Sequence, residues 1–324
     1  MKKTALSAIA ALLIFIILSG CSNEKKEDIT IMLDWTPNTN HTGLYVAIKN
    51  GYYDDQGLKV TIIQATGGNT AQIVASGKAE FGISYQEEVT YARTNQIPIV
   101  SIATIIQHNT SGFASPKDKE ITNPKDFEGK TYGGWGSPIE SAVIKSIMEK
   151  NGGDISKVEF VNSGAADFFT ATTQDIDFEW IYYGWTGIEA ELRNYPINYI
   201  ELAKLDSQLD FYTPVIITSE SYIKENTDTI KKFMEATTQG YEFAIQNPEE
   251  AARILTESVS GINKELVLES QIWLSQKYQE DSKQWGIQES HIWENYAKWM
   301  YDQKLITKLF SVDEAFTNDF LPER

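Results

Sequence analysis

Trp35, Asn38 and His41 lie close together, and their chemistry suits recognition better than bond cleavage. An indole gives a flat face whose stacking is worth about 0.5–1.5 kcal/mol beyond area burial. An amide donates and accepts, and an imidazole does either. Tyr85 and Glu87 form a second pair, a phenol beside a carboxylate. A third set is the run Gly133-Gly134-Trp135-Gly136-Ser137-Pro138, where glycine lets the backbone approach a ligand closely. Ser137 reads as a helix cap with Pro138 at the first helical position, so Trp135, Gly136 and Ser137 sit where helix N–H groups are free to donate. The fourth set is Trp180-Ile181-Tyr182-Tyr183-Gly184-Trp185-Thr186-Gly187. Alternation puts Trp180 and Tyr182 on one face and Ile181 and Tyr183 on the other. Tyr183 and Trp185, nearest the strand's end, are assigned to the site, with Glu189 as a carboxylate. Each has an ordinary alternative: Trp35 as a rim aromatic, His41 as a structural histidine, Glu87 and Glu189 as helix-surface charges.

Other chemistries lack their residues. With three histidines and one cysteine, no zinc or iron–sulfur set can be assembled, and neither metal nor cofactor is expected. The glycine loop has neither G-x-G-x-x-G nor P-loop spacing. Lys+Arg of 28 against Asp+Glu of 45 gives a net charge of −17, which argues against nucleic acid as a partner. The 324 residues, 42% hydrophobic and 23% charged, are those of a folded chain of about two domains.

Short strands and helices alternate from Ile29. Strands are expected at 29–33, 58–63, 79–84 and 97–106, with helices at 42–50, 70–76 and 87–94 between them. A second cycle starts near Asn123, with strands at 130–133, 158–161, 177–183, 199–202 and 215–218 and helices at 137–150 and 165–172. From Ser221 the pattern is almost purely helical, and this tail is free to pack on either half. The fold class is therefore α/β: two lobes, each a mixed, mostly parallel sheet flanked by helices, with a helical C-terminal region. The lobes are expected at 29–113 plus 214–324 and at 114–213, with a hinge near Gly112–Ser115 and Asp210–Pro214. A cleft between such lobes, at the carboxyl ends of strands, is where a small ligand binds.

Gly51-Tyr52-Tyr53-Asp54-Asp55-Gln56-Gly57-Leu58 resembles the G-[YF]-[YF]-x-x-x-G-L signature of a class of solute-binding proteins of ABC importers. Leu33-Asp34-Trp35-Thr36-Pro37-Asn38-Thr39-Asn40-His41-Thr42-Gly43-Leu44 resembles the opening motif of the thiamine-pyrimidine family, which includes a pyrimidine synthase and lipoproteins that bind formylaminopyrimidine. The resemblance covers most of the chain from Ile29 to beyond Pro248. It implies a two-lobed periplasmic-binding-protein-like fold of type II, an aminopyrimidine as ligand, and permease and ATPase subunits as partners. Under it the four residue sets become ring-stacking walls and hydrogen-bond partners for a flat heterocycle. The enzyme branch needs a lysine, a histidine and a cysteine-rich segment. Here the first two positions fall on Ser84 and near Glu88, and Phe211-Tyr212-Thr213-Pro214 has no cysteine, so no enzymatic activity is expected.

The first twenty residues read as an address. Lys2 and Lys3 precede an apolar run from Ala5 to Leu18, too short to span a bilayer. Leu18-Ser19-Gly20-Cys21 resembles the bacterial lipobox. Residues 1–20 are then a signal peptide and 21–28 a lipidated tether, which places the protein on the extracytoplasmic face of the cell membrane, each buried acyl CH₂ contributing about 0.8 kcal/mol. Cys21→Ala should shift the protein from the membrane to the soluble fraction; unchanged sedimentation with membranes would refute the anchor.

Overall fold

The structure, a computed structural model, describes residues 25–64, 70–164 and 166–323. The leader, Cys21 and the loop Gly67-Gly68-Asn69 lie outside the described residues. Ten strands run in chain order: β1 Glu27–Leu33, β2 Leu58–Gln64, β3 Phe81–Ser84, β4 Ile99–Thr104, β5 Ser111–Pro116, β6 Thr131–Gly134, β7 Glu159–Asn162, β8 Phe178–Tyr182, β9 Ile197–Glu201 and β10 Val215–Ser219. They form two five-stranded sheets, ordered β2-β1-β3-β10-β4 and β7-β6-β8-β5-β9. β1 takes in Glu27 and Asp28, expected in the tether, because they pair with Leu58 and Lys59 of β2.

Each sheet is mixed in the same way. β1 runs parallel to β2 and β3, and β6 runs parallel to β7 and β8. The antiparallel member of each is the strand that crosses from the other lobe. β10 inserts between β3 and β4, and β5 inserts between β8 and β9. The first crossover therefore lies at 105–110 and not at Gly112–Ser115. Those residues belong to β5, where Gly112 lies so close to the Ile200 carbonyl that a Cβ would stand 2.3 Å from it.

The first core gathers Ile29, Ile31, Leu33, Phe81 and Ile83 beneath the helix Thr227–Gln246, whose Phe233 stacks on Phe81 with centroids 3.8 Å apart. Tyr53 of the Gly-Tyr-Tyr motif is core, with its hydroxyl 2.8 Å from Thr237 Oγ1, while Gly51 and Gly57 hold positive φ at the turns on either side. The second core centres on Phe113, Phe127, Tyr132, Ile144 and Phe178. The helical tail serves both lobes: from Ser290–Asp302, Trp293 joins a cluster on the first sheet, and Tyr296, Trp299 and Met300 join the second core. Trp285, Trp293 and Trp299 are buried packing residues.

The crossovers are tied to each other. Asn109 Nδ2 donates to Leu209 O at 2.7 Å, and Asn109 N donates to Asp210 Oδ1 at 2.8 Å. His108 sits with Nδ1 2.7 Å from Asp210 Oδ2 and Nε2 3.0 Å from Asp281 Oδ1, so both crossovers and the tail meet at one imidazole. The hydrogen bond to Asp210, reinforced by Asp281 against partial burial, raises His108 to about 9. The clasp's contribution to stability is fully present below the ordinary histidine value of about 6.5 and is lost as pH rises through about 9. Thermal unfolding of wild type and His108→Ala should therefore differ at about pH 6 and converge by about pH 10; a gap that ignores pH would refute the charged clasp.

Candidate functional site

Four strand ends face the gap between the sheets. β1 delivers Asp34 and Trp35, β3 delivers Tyr85, Glu87 and Glu88, β6 delivers Trp135 and Ser137, and β8 ends at Tyr182. A cavity of about 590 Å³, within the range that holds small ligands, opens between the helix Gln86–Thr94 and the start of the helix Pro138–Lys150. Tyr85, Glu87, Glu88, Ser137 and Pro138 line it, with Met300 from the tail.

The two indoles, on the loops after β1 and β6, are open to solvent and are not among the residues that line this cavity. Trp35 is 53% and Trp135 49% exposed, large values for the most apolar side chains on their loops. Trp135 leans on Trp180 with centroids 5.6 Å apart, and Trp180 leans in turn on Phe113 of the second core. Tyr182 Oη lies 3.3 Å from Thr213 Oγ1 at the second crossover.

Asn38 and His41 stand behind this front. His41 is fully buried, and its Nδ1 accepts from Asn38 N at 3.2 Å. Nε2 then carries the proton and donates to Asp34 Oδ1 at 2.8 Å. The Asn38 side chain accepts from Asn40 N at 2.8 Å and donates to Thr36 O at 3.0 Å. Expected as ligand contacts, both spend their polar atoms on the loop, because capping the turn Thr39–His41 needs them. What they present forward is Asp34.

The loop after β6 is built around Glu140. Its Oε1 accepts from Tyr132 Oη at 2.6 Å and from Trp135 N at 3.1 Å, and its Oε2 accepts from Ser137 N at 2.7 Å. The residue is 2% exposed. A Cβ on Gly134 would lie 2.0 Å from Glu140 Oε1, and Gly136 has φ +83°, so both glycines are required by the backbone path. The donors expected at Trp135 and Ser137 are thus occupied from inside the protein.

Tyr183, Trp185 and Glu189 form a separate group that does not line the cavity. The chain leaves β8 through the wide turn Tyr183–Gly187, which turns Tyr183 onto Trp273 at 5.5 Å and Tyr199 at 4.9 Å. Trp185 packs on the cluster of Ala252, Leu255 and Val267, and Glu189 pairs with Arg193 on its own helix. The face that alternation gave to Trp180 and Tyr182 is the one toward the gap; the pair nearest the strand's end is turned aside by the change from strand to wide turn. Asp34, Glu88 and Tyr182 were legible as neighbours of chosen residues, but nothing local in the sequence marks Tyr296, a tail residue whose fully buried hydroxyl has no partner and feels the charge of Glu87 and Tyr182.

The electrostatics have one sign. Burial, then Glu88 and Glu140, push the Glu87 carboxyl up to about 7. Burial also raises Glu88, with Asp34 adding, against hydrogen bonds from Ser84 and Ala71 N that lower it. Burial lifts Tyr182 to about 12 and Tyr85 well above the usual phenol range. Among the described residues, no lysine or arginine lines the cavity. Arg93 is held by Glu220 at 2.6 Å and the Ile99 carbonyl at 3.3 Å. Among the described residues no cluster of three or more His, Cys, Asp or Glu is arranged for a metal. The arrangement offers stacking faces, carboxylate acceptors and, at Glu87 near neutrality, a group that accepts or donates.

A profile of the family described as NMT1/THI5 like matches residues 38–251. A formylaminopyrimidine-binding protein from Halalkalibacterium halodurans is 28% identical over 96% of this chain and 97% of its own length. A 4-amino-5-hydroxymethyl-2-methylpyrimidine phosphate synthase from Legionella pneumophila is 22% identical over 92% of this chain and 93% of its own. Among solved structures, the periplasmic aliphatic sulphonate binding protein SsuA from Escherichia coli superposes with a TM-score of 0.70 at 12% identity, covering 92% of this chain and 94% of that one. That last likeness establishes the two-lobed periplasmic-binding-protein fold.

Burial favours the neutral form of Glu87 in the folded protein. Its contribution to stability is fully present below the ordinary value of about 4.5 and is lost as pH rises through about 7. Glu87→Gln, always neutral, should match wild type near pH 4.5 and exceed it by on the order of 2 kcal/mol near pH 8 in denaturant titrations. Equal stability of the two proteins at the higher pH would show that Glu87 is not desolvated.

Proposed function

The chain belongs to the NMT1/THI5-like family, and from that footing we propose that it is the solute-binding protein of an ABC importer that captures a thiamine pyrimidine precursor for salvage. The ligand is N-formyl-4-amino-5-aminomethyl-2-methylpyrimidine or a close analogue. The observation that carries this reading is the end-to-end match to a formylaminopyrimidine-binding protein, which leaves no part of either chain unaccounted for by more than a few residues in a hundred.

The site's chemistry supports it. A flat, weakly basic ring enters between Trp35 and Trp135, with Tyr85 and Tyr182 as further aromatic walls. Its amino group and ring nitrogens meet Asp34 and Glu87. A stacked pair adds about 0.5–1.5 kcal/mol beyond area burial, a neutral hydrogen bond about 1, and one to a charged group about 1.5–3. Those contributions, with burial of the ring, reach micromolar to nanomolar affinity, roughly −8 to −12 kcal/mol.

The protein performs no reaction of its own in this reading. By the resemblance, the lysine position of the synthase branch falls on Ser84 and its histidine position near Glu88, and Ser84 Oγ donates to the Glu88 carboxylate. A hydroxyl held by a carboxylate supplies no amine and no imidazole. Cys21 anchors the protein by acylation to the extracytoplasmic face of the membrane, and the lobes close about the crossovers at 105–110 and Asp210–Pro214 to hand the ligand to permease and ATPase subunits.

Calorimetric or tryptophan-fluorescence titration with formylaminopyrimidine and hydroxymethylpyrimidine should show saturable binding in the micromolar range or tighter. Trp35→Ala should weaken it about tenfold or more through lost stacking and apolar burial. Absence of any heat or fluorescence change with both compounds would remove this ligand class.

A further inference from the structure

The ring's seat and the cavity overlap only in part. Of the side chains that meet the heterocycle in the reading above, Tyr85 and Glu87 line the cavity, whereas Trp35, Trp135, Asp34 and Tyr182 do not. Beyond Glu87 the cavity continues along one face of the helix Gln86–Thr94, where lining residues recur every three or four positions at Tyr85, Glu88, Tyr91 with Ala92, and Asn95. From Tyr85 to Asn95 that is about 15 Å at the helical rise per residue. We propose that this stretch is a second compartment of the ligand site, which takes an apolar group carried by the ring. The ligand class is then aminopyrimidines whose side arm bears an apolar acyl or alkyl group larger than formyl. The inference rests on the pyrimidine reading of the site and extends it to the substituent.

Size, chemistry and construction carry it. The cavity measures about 590 Å³. The dozen or so non-hydrogen atoms of formylaminopyrimidine take up roughly 360 Å³ even at the generous share that liquid water gives each molecule. Part of that ring, moreover, stands among residues outside the cavity. The lining changes character along its length. Tyr85, Glu87 and Glu88 offer a phenol and two carboxylates at the strand end; Ala92 and Ile97, farther along, are apolar, and the tail adds Met300 and Leu305. The tail's pair is built by the way its helix stops. Lys304 takes φ +60°, Leu305 N donates to Met300 O at 2.9 Å and Lys304 N donates to Tyr301 O at 2.9 Å. That double bond pattern is a helix stop in which the residue after the left-handed position is brought back beside the one five places earlier. Leu305 and Met300 therefore reach the same wall, and both belong to or pack on the second core. Ile97 packs likewise on a cluster of the first lobe. Water against such side chains finds few polar partners, so an apolar group that displaces it gains affinity in proportion to the area it buries.

The test is an acyl series on one ring. 4-Amino-5-aminomethyl-2-methylpyrimidine carrying N-formyl, N-butanoyl or N-benzoyl is titrated by calorimetry into wild type, Leu305→Ala and Ile97→Ala. In wild type, affinity should rise from formyl to butanoyl to benzoyl, by about tenfold or more overall. Each variant should bind the benzoyl compound about fivefold or more weakly than wild type does, yet hold the formyl compound as wild type does. A merely structural effect of either substitution would weaken both compounds alike, and that result overturns the assignment of those side chains to the compartment. Wild-type affinity that stays flat or falls as the acyl group grows overturns the compartment itself and leaves the pyrimidine reading standing; this arm decides the matter if a variant does not fold. Benzoyl binding that depends on Leu305, with no binding of the formyl compound or of hydroxymethylpyrimidine, supports the compartment and removes formylaminopyrimidine as the ligand. Failure of wild type to bind any member of the series removes both.

Discussion

Parallel strands end at a common edge, and this constraint organises the whole site. β1 and β3 in one sheet, and β6 and β8 in the other, each finish side by side because helical crossovers return the chain to the same starting edge. The loops that follow them are therefore neighbours within each lobe. Facing the two sheets across a gap turns two pairs of neighbours into a four-sided enclosure. Trp35 and Tyr85 follow adjacent strands of one sheet, and Trp135 and Tyr182 stand at the ends of adjacent strands of the other, so only the two crossovers bring the first pair and the second to a common gap. The repeated strand order in the two lobes, with the inserted antiparallel strand arriving each time from the other lobe, makes the enclosure symmetric in plan.

The carboxylates on the loops around the gap sit in different surroundings. Glu140 accepts three hydrogen bonds from its own loop and from Tyr132. Glu87 is held close to neutral by burial and by its neighbours. Asp34 is steadied from behind by a histidine whose other nitrogen is already bound to the backbone. Among the described residues, the cavity lining carries Glu87 and Glu88 and no lysine or arginine.

Motion and stability meet at the crossovers. His108 joins both connecting segments to the tail through two carboxylates, and the helix Ser290–Asp302 packs on cores of both lobes. The tail therefore ties the two lobes together at the crossovers. Trp299 shows how firmly it is seated, stacked on Tyr296 and donating to Ser146 Oγ at 3.2 Å.

Local pattern alone specified the α/β alternation, the two cycles and the helix start at Ser137-Pro138, because these depend on neighbours one to four residues away. It also placed Trp35, Tyr85, Glu87, Trp135 and Ser137 at strand ends. It did not separate the residues that face the gap from those that build the loops: Asn38 and His41 look like recognition groups until their caps are seen, and Tyr183 and Trp185 look nearer the gap than Tyr182 until the wide turn rotates them away. Nor did it reveal β5 and β10 as strands lent between lobes, or Tyr296 arriving from the tail, since strand pairing and long-range packing leave no periodic mark. Side-chain type and spacing determine what chemistry a chain can offer; which atoms are left free to offer it is decided only when distant segments have claimed the others.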